Sequence, residues 1–251
     1  MHKNIKRLLL FVSIIQCTVF MTTAKAQSDD FGMIYEAGAE MKLSRKWNAG
    51  MEAEFRTRNN TRTADRFSIG LNTEYKIVKG LKASAGYVLL YDNNKEELEY
   101  KRDGITPKWT PSYWGVRHRF NISLSGNKDF GRLNISLRER WQHTYRPEAT
   151  GKKYDGGDLA WESIKSKNKN VLRSRLQLSY DIPHWKFDPY VNTELFNSWS
   201  LEKIRYQAGV EYKYKKQHVL NLSYRFQKVN NDDDDSDSSI HSICIGYKFK
   251  F

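Results

Sequence analysis

The chain ends in Gly246-Tyr247-Lys248-Phe249-Lys250-Phe251, and few folds accept such an ending. In an extended strand successive side chains point to opposite faces. Tyr247, Phe249 and Phe251 therefore share one face, and Gly246, Lys248 and Lys250 share the other. An aromatic face backed by a charged one suits a wall with lipid on one side and water on the other.

The same period of two runs through nearly the whole chain. Met33, Tyr35, Ala37, Ala39 and Met41 alternate with Glu36, Glu40 and Lys42. Trp47, Met51 and Phe55 alternate with Glu52, Glu54 and Arg56, and Phe67, Ile69, Leu71 and Tyr75 with Asn72, Glu74 and Lys76. Leu81 to Tyr91 and segments near 115–125, 132–145, 171–182, 187–198, 204–214, 218–228 and 240–251 follow the pattern, eleven in all. Most run 10 to 13 residues. A tilted strand needs about 9–11 residues to cross a bilayer, whereas soluble strands are usually about 5–6 residues long.

The spacing predicts an all-β fold, an antiparallel transmembrane β-barrel with short periplasmic turns and longer external loops. Short connections fall at 44–46, 78–80, 126–131, 183–186 and 215–217, and longer ones at 59–65, 92–114, 146–170, 199–203 and 229–239. Bacterial barrels close with an even strand number. Twelve strands are therefore expected, one of them hidden in 92–114 or 146–170, with ten as the alternative if the first segment is misread.

Lys3, Lys6 and Arg7 form a positive start, Leu8 to Met21 a mostly apolar run, and Ala24-Lys25-Ala26 a small-residue cleavage pattern. Residues 1–26 thus read as a secretory signal peptide, with the barrel domain over 27–251. Beyond it no apolar stretch reaches the length of a membrane helix. The leader holds four of the 42 basic residues and none of the 29 acidic ones, so the net charge falls from +13 to +9 on its removal. In an exported chain that balance points to a charged lumen and to acidic lipid or lipopolysaccharide rather than nucleic acid. Cys244 is then the single remaining cysteine, which excludes a disulfide framework.

The polar faces are patterned. Arg117 and Arg119, Arg138 and Arg140, Arg173 and Arg175 occur as pairs spaced by two, joined by Arg205 and Arg225. The acids are Glu36, Glu40, Glu52, Glu54, Glu74, Glu194 and Glu211. Residues two apart share a face and stack along a barrel axis. Guanidinium groups suit bidentate pairing with carboxylates. The set reads either as an ion-pair network filling the lumen or as a basic path for anions. Glu139 breaks the alternation between Leu137 and Trp141, for which a bulge near the rim would account.

Trp47, Tyr75, Tyr87, Tyr91, Trp141, Tyr145, Tyr180, Trp185, Tyr212, Tyr214 and Tyr247 fall mostly near strand ends, the pattern of interface girdles. Trp109, Tyr113 and Trp114 sit in a long loop expected to pack over the barrel mouth. Asp232, Asp233, Asp234, Asp235 and Asp237 supply oxygens enough for calcium but lack the glycine and terminal glutamate of an EF-hand. A solvated loop is the plainer reading, and neither metal nor cofactor is expected.

An enzyme would need a nucleophile, a base and an orienting group within reach of one another. His143 with Ser174 is the pair to inspect, with Glu139 as a further carboxylate, and this keeps a lipid-modifying hydrolase as the alternative to a structural or accessory barrel or a narrow channel. No nucleophile elbow, metal-binding histidine pair or phosphate loop is present.

Several motifs together carry a family resemblance. They are Trp109-Thr110-Pro111-Ser112-Tyr113-Trp114-Gly115, Arg117-His118-Arg119-Phe120, Leu137-Arg138-Glu139-Arg140-Trp141-Gln142, Leu172-Arg173-Ser174-Arg175 and Glu194-Leu195-Phe196-Asn197-Ser198. With the terminal Tyr247 to Phe251, the chain resembles the uncharacterised outer-membrane family labelled domain of unknown function 2490, found in Bacteroidota. The resemblance implies an outer-membrane barrel and brings no substrate or catalytic residue. The terminal strand is also similar to the sorting signal of such barrels, with Gly246, Tyr247, Phe249 and Phe251 as its residues. The implied partners are outer-membrane lipid, lipopolysaccharide and the barrel-assembly machinery.

Overall fold

The computed structural model describes residues 30–100, 107–155, 159–215, 217–230 and 239–251. The expected leader and the acidic run at 232–237 lie outside them. Eleven long strands form the wall. They are β1 (Asp30–Lys42), β2 (Trp47–Arg58), β3 (Thr63–Val78), β4 (Leu81–Asn94), β7 (Tyr113–Phe130), β8 (Leu133–Arg146), β11 (Lys167–Tyr180), β12 (Phe187–Asn197), β13 (Leu201–Tyr214), β14 (His218–Val229) and β15 (Ile240–Lys250). Four short strands, β5 (Glu97–Tyr100), β6 (Pro107–Thr110), β9 (Ala149–Asp155) and β10 (Leu159–Ile164), form a separate sheet in the order β10-β9-β6-β5.

Among the described residues the wall closes on eleven strands, not twelve or ten. The even-number rule assumes antiparallel pairing throughout, and one parallel ladder removes it. β1 and β15 supply that ladder, in register from Asp30↔Ile240 to Glu40↔Lys250. Every other neighbouring pair is antiparallel, and among the described residues of 92–114 and 146–170 no further wall strand forms. Asp30 consequently starts on the rim that carries the long connections, and Phe251 ends on the rim of short turns.

Several connections are tighter than the sequence suggests. β7 continues to Phe130, so its turn to β8 is Gly131 and Arg132 alone, with Gly131 at φ +63°. The β2–β3 connection places Asn59, Asn60 and Thr61 all at positive φ. This conformation is disfavoured for residues with a Cβ, most of all for β-branched threonine. Asp30 compensates, because its carboxylate accepts the Asn59 and Asn60 N–H groups at 2.8 and 3.1 Å.

Alternation decides which face each side chain takes. Inward positions carry Glu194, only 3% exposed, while outward positions carry Leu71, 61% exposed. Ile69, Ile122, Leu124, Leu137, Leu176 and Leu222 line the outside in the same way. A soluble barrel would do the reverse, so this wall is built for an apolar surrounding. Aromatic rings gather at both ends of the outer face. Toward the loop rim Phe55 stacks on Phe67 at 4.6 Å and Tyr91 on Trp114 at 4.8 Å. Toward the short-turn rim Trp47 meets Tyr75 at 4.8 Å and Phe187 meets Tyr212 at 5.1 Å. Eight residues separate Trp47 from Phe55 on β2, about 27 Å along a strand and about 20 Å vertically at a typical tilt. That matches the apolar band of a membrane barrel. Tyr87 lies between the two ends, its hydroxyl 2.8 Å from His118 Nδ1.

Candidate functional site

Inside the wall the arginine and glutamate side chains occupy three levels. One is a central chamber of about 560 Å³ lined by ten basic and five acidic side chains. Of the residues singled out from sequence, Arg119, Arg138, Arg140, Arg173, Arg175, Arg205, Arg225, Glu52, Glu54, Glu194 and Glu211 all line it. Strand parity brings them together, since each is an inward position of its strand.

Glu194 on β12 is the hub. Its Oε1 accepts from Arg138 Nη2 at 2.6 Å, and its Oε2 from Arg173 Nη2 at 2.9 Å and Arg205 Nη1 at 3.4 Å. Phe196, two residues on and therefore on the same inward face, lies under the guanidiniums of Arg173 and Arg205, at 4.6 and 4.9 Å from its ring. The ring holds both cations toward the carboxylate. The sequence reading named Phe196 only within a family motif, although its parity with Glu194 places it inside.

Across the lumen β1 and β2 bring acids. Glu54 is held by Arg56 through two 2.7 Å bonds, and Glu36 by Arg225 at 3.4 Å. The chamber thus has a basic side on β7, β8 and β11 and a more acidic side on β1 and β2, and the basic side is in excess.

Toward the loop rim the lumen narrows. Asp92, 1% exposed, pairs with Arg66 and with Arg117 Nε at 3.4 Å, while Arg117 Nη2 donates to Asn94 at 2.6 Å. Arg58 adds bonds to Asp65 at 3.1 Å and to the Asn93 carbonyl at 2.7 Å. A void of about 30 Å³ lies between Arg56, Arg58, Arg205, Arg225 and Gln227. Arg117 belongs to this constriction and not to the chamber. Asp92 and Arg66 escape a sequence reading that ends strands at Tyr91 and starts them at Phe67.

Toward the short-turn rim the lumen opens into a vestibule of about 470 Å³ with six basic and two acidic side chains, Glu74 bonding Lys82 at 2.8 Å among them. Lys250 borders both vestibule and chamber.

Other residues fall outside the lumen. No bulge interrupts β8 at Glu139, which faces outward and accepts a 2.7 Å bond from Ser174 Oγ. His143 instead meets Asn170 at 2.9 Å. His143 and Ser174 are four ladder positions apart, about 13 Å along the strand, so they form no nucleophile–base pair. Trp109 lies in β6 opposite Leu98 and Tyr154, whereas Trp114 turns onto the outer wall against Tyr91. Tyr113 starts β7 and lines, with Asn94 and Arg146, a pocket of about 220 Å³ shared with the loop sheet. Cys244 is buried and faces inward. Among the described residues no group of three or more metal-ligating side chains forms. Gly246 lies inward beside Glu36, Tyr247 faces outward with its hydroxyl 2.8 Å from His218 Nδ1, and Phe249 packs on Phe251 at 4.6 Å.

A closed wall, apolar outside and charged inside, defines a β-barrel protein with a polar lumen. A family model described as "Protein of unknown function (DUF2490)" matches residues 31–238, and the chain belongs to that family. No curated protein matches it. Solved structures similar in fold include the beta domain of the Bordetella autotransporter Brka, at TM-score 0.48 and 12% identity over 80% of this chain and 79% of that one. The NanC porin aligns at 0.48 and 16% identity over 89% and 100%, and the Pseudomonas putida toluene transporter TodX at 0.43 and 11% over 90% and 81%.

Proposed function

We propose that this protein is an outer-membrane barrel whose lumen is a narrow, anion-preferring channel. The observation that carries the reading is the excess of basic over acidic side chains, ten against five, around a central chamber of about 560 Å³. A confined lumen with low-dielectric walls concentrates counter-ions of the opposite sign. The vestibule repeats the imbalance and acts as a positive funnel on the short-turn side, which is periplasmic in this reading. The Asp92 level is the narrowest point of the path.

The role is non-catalytic. Outer-membrane lipid and lipopolysaccharide surround the aromatic girdles, and the barrel-assembly machinery reads the terminal strand through Tyr247, Phe249 and Phe251. No cofactor or nucleic acid takes part.

Chloride entry into liposomes tests the proposal. Refolded protein is reconstituted into vesicles loaded with a chloride-quenched dye, with valinomycin present so that potassium balances the charge. Quenching above that of protein-free vesicles is the expected result. No quenching by protein verified as folded would overturn the channel.

A further inference from the structure

Four arginines form a grid on the basic side of the chamber. Arg140 on β8 lies directly opposite Arg173 on β11, and Arg138 directly opposite Arg175. Like charges facing each other across a ladder repel, and here the arrangement occurs twice side by side. A fifth guanidinium, Arg205, approaches from β13, and among the described residues Glu194 is the carboxylate in ion-pair contact with the group. Each guanidinium carries five N–H donors and accepts nothing. Glu194 engages Arg138, Arg173 and Arg205. Among the described residues Arg140 is bonded only through Nε, to Ser123 Oγ at 2.9 Å, and Arg175 has no carboxylate within ion-pair distance. The Nε atoms of Arg138, Arg173 and Arg205 are buried without an acceptor. Positive charge and donors are therefore in surplus at one place, on the wall of a chamber of about 560 Å³.

We infer that this grid is a binding site for a doubly charged oxyanion, the phosphate of a small solute. The inference rests on reading the lumen as anion-attracting and adds a specific ligand class to it. Guanidinium forks match a tetrahedral oxyanion by paired N–H bonds, which a spherical chloride cannot use. The free edges of Arg140 and Arg175 supply two such forks, and the ligand's charge relieves the facing pairs Arg140–Arg173 and Arg138–Arg175. The chamber lies within the size range of small-molecule sites, so it has room for a solute attached to the phosphate. Lysines of the vestibule lead from the short-turn rim to this site.

Titration calorimetry on the refolded, full-length barrel tests it, with inorganic phosphate, glycerol 3-phosphate and chloride as probes. Saturable binding of inorganic phosphate at least tenfold tighter than chloride is expected. Arg140→Gln and Arg175→Gln should each weaken it by about tenfold, the usual loss for a charge-assisted bond. Lys128→Gln, on the outer face, should leave it unchanged. Equal affinity for the two phosphates means that the oxyanion alone is read, and tighter glycerol 3-phosphate means that the attached solute is held as well. Phosphate no tighter than chloride, or wild-type affinity in both arginine variants, overturns the site. Should either variant fail to fold, protection of Arg140 and Arg175 by phosphate against phenylglyoxal in the wild-type barrel decides it, absence of protection being contrary. Chloride entry without phosphate binding would remove this inference and leave the channel standing. Phosphate binding without chloride entry would do the opposite.

Discussion

Glu36 on β1 lies beside Gly246 on β15 in a parallel ladder, and that ladder closes the wall on an odd number of strands. Gly246 has little room to spare, since a Cβ there would stand 3.3 Å from Asn221 Cβ and 3.7 Å from Glu36 Oε2. The seam also sets where the two ends of the wall lie, with Asp30 among the loops and Phe251 on the opposite rim.

Met33 and Ile243 are partners in this register and both face outward. Cysteines placed there, Met33→Cys with Ile243→Cys in a Cys244→Ser background, should form an intramolecular disulfide, because paired strand positions lie within bridging distance. A mobility shift on non-reducing gels is the readout. An antiparallel or even-numbered closure would separate the two positions and leave both thiols free to alkylation.

Asp92 neutralises both Arg66 and Arg117 at the constriction. Asp92→Asn should remove a carboxylate that two buried cations share and cost about 3 kcal/mol of stability. Their mutual repulsion should also widen the narrowest point, so single-channel conductance should rise. Denaturant unfolding and bilayer recording check the two effects. An unchanged conductance would place the constriction elsewhere.

Glu139 is a carboxylate on the apolar outer face, bonded by Ser174 between Leu137 and Trp141. Charged groups on a lipid-facing wall are destabilising, acids less so than bases. Glu139→Leu should therefore raise stability by about 1 kcal/mol in refolding titrations into lipid. A loss of stability would mean that Glu139 has a partner in the membrane.

Asp30 holds a turn of three left-handed residues, Asn59, Asn60 and Thr61. Removing its carboxylate in Asp30→Ala should cost about 1–2 kcal/mol, as for loss of a capping side chain. Hydrogen exchange should quicken at Asn59 and Asn60 ahead of the rest of the wall, and uniform exchange would contradict the assignment.

Most of the wall was legible because a period of two states both strand and face. The inward set from Arg119 to Arg225 follows from parity alone, and so does its meeting in one lumen once the sheet closes. Strand number was harder. Eleven segments could be counted, but no local pattern marks a ladder between Asp30 and Ile240, which are remote in the chain. The constriction was hidden for a related reason. Arg66 follows Asp65 and Asp92 precedes Asn93 and Asn94, where apolar alternation fades and composition resembles a loop. Glu139 shows the converse, since the sequence flagged it correctly as an exception and the expected bulge is absent. The hydroxyl of Ser174, supplied by the neighbouring strand, satisfies it in place.

The most direct test of the anion-preferring lumen is the reversal potential of the refolded barrel in a planar bilayer under a tenfold salt gradient. A potential of the anion-selective sign is expected, reduced when Arg140 and Arg175 are both changed to glutamine. A cation-selective potential, or no current from protein verified as folded and inserted, would contradict it.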